Sequence, residues 1–147
     1  MSITFLPDVN IWFALSRKEH QFHLSAYDWI SSVPAHDRIH FNRSTQQSLL
    51  RLVTTSAIMH AYSAKPLTNT DAWTRQNAWY KDDRISFVDE PPQLEPQWRS
   101  FGAIGTASPQ LWMDASLAAF AIASNAQLVT TDKAFRQFKG LDLLVIA

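Results

Sequence analysis

The chain alternates short apolar runs with longer stretches in which apolar residues return every three or four positions. Residues 3–6 are strand formers and stop at Pro7, which cannot donate to a sheet ladder. Ile11, Trp12, Ala14 and Leu15 then carry helical spacing, so Asp8 sits where a strand gives way to a helix. A second helix is predicted over about residues 20–33, with Phe22, Ala26, Trp29, Ile30 and Val33 on one face and Pro34 ending it. Residues 39–41 read as the second strand. Ser44 or Thr45 caps the next helix, whose apolar positions are Leu49, Leu50, Leu52 and Val53. Residues 54–64 show no clear period. Thr68 opens a helix to about residue 81, with Ala72, Trp73, Gln76, Trp79 and Tyr80 in register. A third strand covers residues 85–88, and an amphipathic helix with Trp98 and Phe101 covers about 94–104.

The most informative stretch is residues 111–135. Ser108 followed by Pro109 reads as a helix start, and Asn125 suits a C-terminal stop. Leu117, Ala118, Ala121 and Ile122 lie three, four, seven and eight positions after Asp114, which puts Asp114 on their apolar face and points it into the protein. Residues 127–130 form a short buried strand with Asp132 just past its end. Phe135 and Phe138 anchor a helical turn, and Gly140 introduces a last strand at residues 143–146. Strands alternating with helices predict an α/β fold, a mainly parallel sheet with helices on both faces, in a single domain over residues 1–147.

Composition narrows the function classes. Apolar residues make up 46% and charged residues 18% of the 147, a globular balance. There is no cysteine, which excludes a disulfide framework and a thiolate metal site and fits a reducing compartment, so a cytoplasmic location is expected. No apolar run is long enough to span a membrane, and no secretory signal is visible. Thirteen acidic residues balance thirteen basic ones, so nucleic-acid contact must use a local patch. Arg17, Lys18, Arg43, Lys133 and Arg136 are the candidates. The six tryptophans fall within apolar helical patterns and are expected to be mostly core, with some at an interface. His20 and His23, three apart, have no third ligand nearby and read as a solvated helix start.

Asp8 ends the first strand, Asp132 ends the fourth, and Asp114 faces inward near a helix start. In a doubly wound sheet the three converge at the carboxyl edge, where ligands bind. Singly, each acid is an ordinary cap or dipole partner. Together, three unpaired carboxylates repel, and a hard divalent cation relieves that conflict. Mg²⁺ or Mn²⁺ on Asp8, Asp114 and Asp132 points to metal-dependent phosphodiester hydrolysis. A haloacid-dehalogenase-like phosphatase needs a second Asp where Asn10 stands, and a receiver domain needs a Lys that Lys133 does not match.

At these residues the sequence resembles a PIN-domain ribonuclease of the VapC toxin type. LPDVNIWFAL at 6–15, RSTQQSLLRLVT at 43–54, PLTNTDAW at 66–73, WMDASLAAFA at 112–121 and LVTTDKAFRQF at 128–138 carry the resemblance across nearly the whole chain. It implies a three-layer α/β/α sandwich, Mg²⁺- or Mn²⁺-dependent cleavage of an RNA substrate, a homodimer and a cognate antitoxin. It assigns the acidic metal site to Asp8, Asp114 and Asp132, and polar positions beside it to Asn10 and Thr131. The family's usual Glu in the helix after the second strand is replaced by Gln46 or Gln47; Thr45-Gln46 resembles the TQ pattern of one branch. The acid often found two positions after Asp132 is Ala134. Three carboxylates imply one tightly held metal. The alternative these departures raise is a catalytically inactive PIN-like module acting through protein or RNA binding.

Overall fold

The computed structural model describes residues 1–147. Five parallel strands stand in the order β3-β2-β1-β4-β5: β1 is Thr4–Pro7, β2 Arg38–Phe41, β3 Ile85–Phe87, β4 Gln127–Thr130 and β5 Leu143–Val145. Seven helices connect them: α1 Val9–Ser16, α2 His23–Ser32, α3 Arg43–Val53, α4 Ser56–Ala61, α5 Asn69–Trp79, α6 Leu94–Gly102 and α7 Leu111–Ala123. A 3₁₀ turn, Lys133–Gln137, precedes β5.

Each strand is short, and its alternate residues feed opposite layers. Phe5, Ile39, Phe41, Ile85 and Val129 join a core with α1, α2, α3 and α5, while Leu6 and Leu128 join a second core with α6, α7, Phe135 and Phe138. Trp12 fills the first core, fully buried and stacked on Phe41 at 3.8 Å between ring centroids. Trp29, Trp79 and Trp98 are half-buried, but Trp73 and Trp112 stand half exposed, so the tryptophan stripe is less of a core than its spacing suggested.

Pro7 shapes the site. Asp8 still donates its N–H to Val129 O at 2.9 Å on the β4 side, so the missing donor at Pro7 falls on the β2 side. β1 accordingly pairs with β2 only through Phe5 but with β4 through Pro7. β1 lies between neighbours whose connections run in opposite directions, and the crevice beyond its carboxyl end is where an open α/β sheet binds ligands.

Several boundaries differ from the sequence reading, each for a local reason. α3 is capped by Asn42, not Ser44 or Thr45: the Asn42 side chain accepts from Thr45 N at 3.0 Å, and the Thr45 hydroxyl accepts from Asn42 N at 3.2 Å. α7 begins at Leu111 with no side-chain cap; Ser108 contributes only its carbonyl, to Leu111 N at 3.1 Å. α2 starts at His23 because residues 17–22 are taken up by turns, and residues 54–64 contain the one-and-a-half-turn α4. His23 Nδ1 donates to Ala14 O at 2.7 Å and His20 stacks on Tyr62 at 5.4 Å, so both rings serve packing. The Asn125 stop is as expected: φ is +52°, and Ala126 N bonds Ala121 O at 2.8 Å across it.

Candidate active site

Three elements deliver the acids. Asp8 follows β1 and is the N-cap of α1; its Oδ1 accepts from Asn10 N at 2.8 Å and Ile11 N at 3.3 Å. Asp132 follows β4 and caps the 3₁₀ turn, accepting from Ala134 N at 2.9 Å. Asp114 lies in the first turn of α7, half-buried, on the same side as Leu117. All three line one cleft of about 130 Å³ together with Asn10, Ser44, Thr45, Ser48 and Met113. No basic side chain lines it.

Burial and mutual repulsion set the electrostatics. Asp8 is only 4% exposed, and this burial lifts its carboxyl from the ordinary 3.8 to about 6. Donation from Thr130 and from the backbone N–H groups of Ile11 and Asn10 opposes that rise, while Asp132 adds to it. Asp114 is also raised, first by desolvation and then by Asp132. Two of the three carboxylates therefore resist ionisation in the metal-free protein.

Thr130 is the residue the sequence reading missed. Its side chain is fully buried; the hydroxyl donates to Asp8 Oδ2 at 2.5 Å and accepts from Asp132 N at 3.0 Å, tying two acids together. Thr131, the position named instead, does not line the cleft. The available signal was the strand period: the last residue of β4 faces away from Val129 and toward the switch point. Gln46 also departs from expectation. It is 6% exposed, accepts from the Arg43 guanidinium and lies outside the cleft, where Ser44, Thr45 and Ser48 stand instead. Asn10 lines the cleft as expected.

The basic candidates separate by topology. α1 runs away from the cleft, so Arg17 and Lys18 lie about 12 Å off, at the far rim of the sheet. Arg17 pairs with Glu19 at 3.4 Å. Arg43 lies over the Phe87 ring, 4.4 Å from its centroid. Lys133 and Arg136 are exposed on the turn that Asp132 caps.

The donor set suits a hard cation: carboxylates of two strand ends and a helix, uncompensated by any cationic side chain. No three acidic or histidine side chains are gathered tightly enough to cage an ion. That arrangement fits an ion held by one or two carboxylates and otherwise hydrated, as Mg²⁺ prefers.

The chain belongs to the PIN-domain family: the family model matches residues 5–141. It is 46% identical over 143 residues to Ribonuclease VapC41 of Mycobacterium tuberculosis, covering 97% of this chain and 98% of that one. Ribonuclease VapC33 of the same organism is 26% identical, over 92% of this chain and 93% of its own. Among solved structures, the fold is shared with VapBC2 from Rickettsia felis bound to a promoter DNA fragment, at a TM-score of 0.70, 16% identity and coverage of 99% and 100% of the two chains. VapBC-1 from nontypeable Haemophilus influenzae superposes with a TM-score of 0.65 at 15% identity, over 97% and 98%.

Proposed function

We propose that this protein is a metal-dependent endoribonuclease, the toxin of a toxin–antitoxin pair, with Asp8 and Asp114 as the principal ligands of Mg²⁺ or Mn²⁺ and Asp132 contributing directly or through water. The observation that carries the reading is the cleft itself: three carboxylates on converging elements, two with raised pKa and none with a basic partner. The 46% identity to a protein named as a ribonuclease supports the substrate class.

Division of labour follows from the hydrogen bonds. Asp8 is immobilised on both oxygens by Thr130 and two backbone N–H groups, so it fixes position. Asp132 is held on one oxygen by Ala134 N. Asp114 takes no hydrogen bond from the protein and keeps both oxygens for the ion and for solvent in the cleft. When bound, the ion supplies Lewis-acid polarisation of a phosphate oxygen and activates water. Asn10, Ser44 and Ser48 border the cleft and present polar groups to the phosphate and ribose.

An antitoxin partner is supported by likeness to VapBC complexes, and a homodimer by the exposed Trp73, Trp112 and Met113. The test is RNA cleavage by the purified protein across Mg²⁺ and Mn²⁺ titrations, with EDTA as control, alongside sedimentation at micromolar concentration. Cleavage that needs the metal and is lost in Asp114→Asn supports the reading. RNA binding without cleavage at any metal concentration would instead favour the inactive module.

A further inference from the structure

Helix α3 carries one continuous stripe out of the acid cleft. Ser44 and Ser48 line the cleft, Arg51 and Leu52 follow at helical spacing on the same face, and Thr55 stands just past the end of the helix. They line a second groove of about 420 Å³, which shares Val9, Asn10 and Ser48 with the cleft and is therefore its direct extension. Leu52 and Ile58 supply an apolar surface there. The charge changes sign between the two: the cleft has three carboxylates and no cation, whereas the groove has no carboxylate and one cation, Arg51. Arg51 is exposed, and no carboxylate lies within ion-pair distance of its guanidinium, unlike Arg17, Arg84 and Arg99. It stands about 10 Å along the helix from Ser44.

We propose that this groove is the binding track for the single-stranded RNA segment next to the scissile phosphate, with Arg51 as its phosphate-binding residue. The proposal rests on the nuclease reading above and adds where the strand runs. A strand whose scissile phosphate lies against the acids must place its neighbouring phosphates outside the repulsive cleft. The groove that opens from the cleft offers a guanidinium for a phosphate, the Ser48 hydroxyl for a sugar or phosphate oxygen and, at Thr55, whose hydroxyl donates to Arg51 O at 2.5 Å, an acceptor for a ribose hydroxyl. Leu52 and Ile58 give the unstacked bases an apolar surface. A protein segment could also fill an apolar groove; continuity with the acid cleft and the reversal of charge favour the polyanion.

The test uses Arg51→Ala, Arg51→Glu and Arg51→Lys in the full chain, with melting temperature as the folding control. Steady-state cleavage of a short single-stranded RNA should show KM raised at least threefold by Arg51→Ala and more by Arg51→Glu, with kcat within twofold and Arg51→Lys recovering much of the loss. Binding of the same RNA to the non-cleaving Asp114→Asn protein, with and without Arg51→Ala, should lose about 0.7 from the slope of log affinity against log salt, the value for one phosphate contact on a single strand. Unchanged KM and slope would overturn the proposal. So would a variant that loses a co-purifying partner protein while binding RNA normally. A wild-type chain that neither binds nor cleaves RNA would overturn the nuclease reading first and this one with it.

Discussion

The two rims of the sheet use the same residue types to opposite ends. At the amino-terminal rim, Asp37 is 2% exposed, yet its Oδ1 accepts from Ile3 N at 2.9 Å, and His36 stands 3.5 Å away. Beside it Arg84 donates to both oxygens of Asp82 and, through its other terminal nitrogen, to Ile30 O and Val33 O at 2.7 Å, closing the end of α2. That contact holds the Asp82 carboxyl below its ordinary value. At the carboxyl rim, Asp8, Asp114 and Asp132 share a cleft with no cation, and Asp8 and Asp114 are raised. Burial alone does not separate a structural acid from a functional one. A cationic partner does: the amino-terminal rim sets Arg84 on Asp82, while the carboxyl rim meets its acids with neutral donors at most and leaves their charge for something brought from outside.

The largest expected effect breaks this contrast at Asp114. Asp114→Asn should reduce RNA cleavage by about a hundredfold or more, each tenfold being 1.36 kcal/mol of barrier. Without metal its melting temperature should stay level or rise, because an uncompensated charge is gone. Retained cleavage with an earlier melt would make Asp114 a dipole partner only, worth about 0.3–1 kcal/mol.

The second effect is on pH dependence in EDTA. The Asp8 carboxyl is raised from 3.8 to about 6 on folding, so the unfolded chain loses its proton first. The folded state is favoured by this group below the unfolded value, and the benefit is lost as pH rises through about 6, amounting to about 3 kcal/mol at 1.36 kcal/mol per unit. Asp82 has the opposite sign: its contribution is present above its ordinary pKa and is lost as pH falls through the depressed value. Denaturant midpoints for wild type and Asp8→Asn between pH 4 and 7.5 should differ in slope accordingly. Mg²⁺ should restore wild-type stability above pH 6, since the ion binds the ionised carboxyls; identical profiles for the two proteins would refute the assignment.

A third change leaves the carboxyl rim alone. Arg84→Met strips donors from Asp82 and from the last carbonyls of α2 and should cost about 1–3 kcal/mol. Its cleavage rate at 25 °C should match wild type. A loss of rate in protein that is still folded would mean that the two rims are coupled.

The smallest effect is at Thr130. Thr130→Val keeps the shape of a buried strand residue but removes the donor to Asp8, costing about 1 kcal/mol near neutral pH. Because that hydrogen bond lowers the Asp8 pKa, the acid limb of the cleavage profile should move to higher pH. An unmoved limb would show that Thr130 only positions the Asp132 backbone.

Much of this was legible in the chain. Strand positions, the parallel α/β class and the three acids follow from local patterns, because period-two and period-3.6 spacings depend on neighbours a few residues away. The inward face of Asp114 came from the same arithmetic, and the Asn125 stop from one residue's tolerance of positive φ. What the tertiary structure decided concerns partners far apart in sequence. Thr130 joins Asp8 across 122 positions, so the strand period can turn it off the Val129 face but cannot name its partner. Gln46 lies in the expected helix, but the Asn42 cap and Arg43 set the helix so that Ser44, Thr45 and Ser48 border the cleft. Arg17 follows soon after Asp8 in the sequence, yet α1 carries it to the opposite rim. Whether a charge meets a partner is a property of where chain segments end up after folding, and no local pattern encodes it.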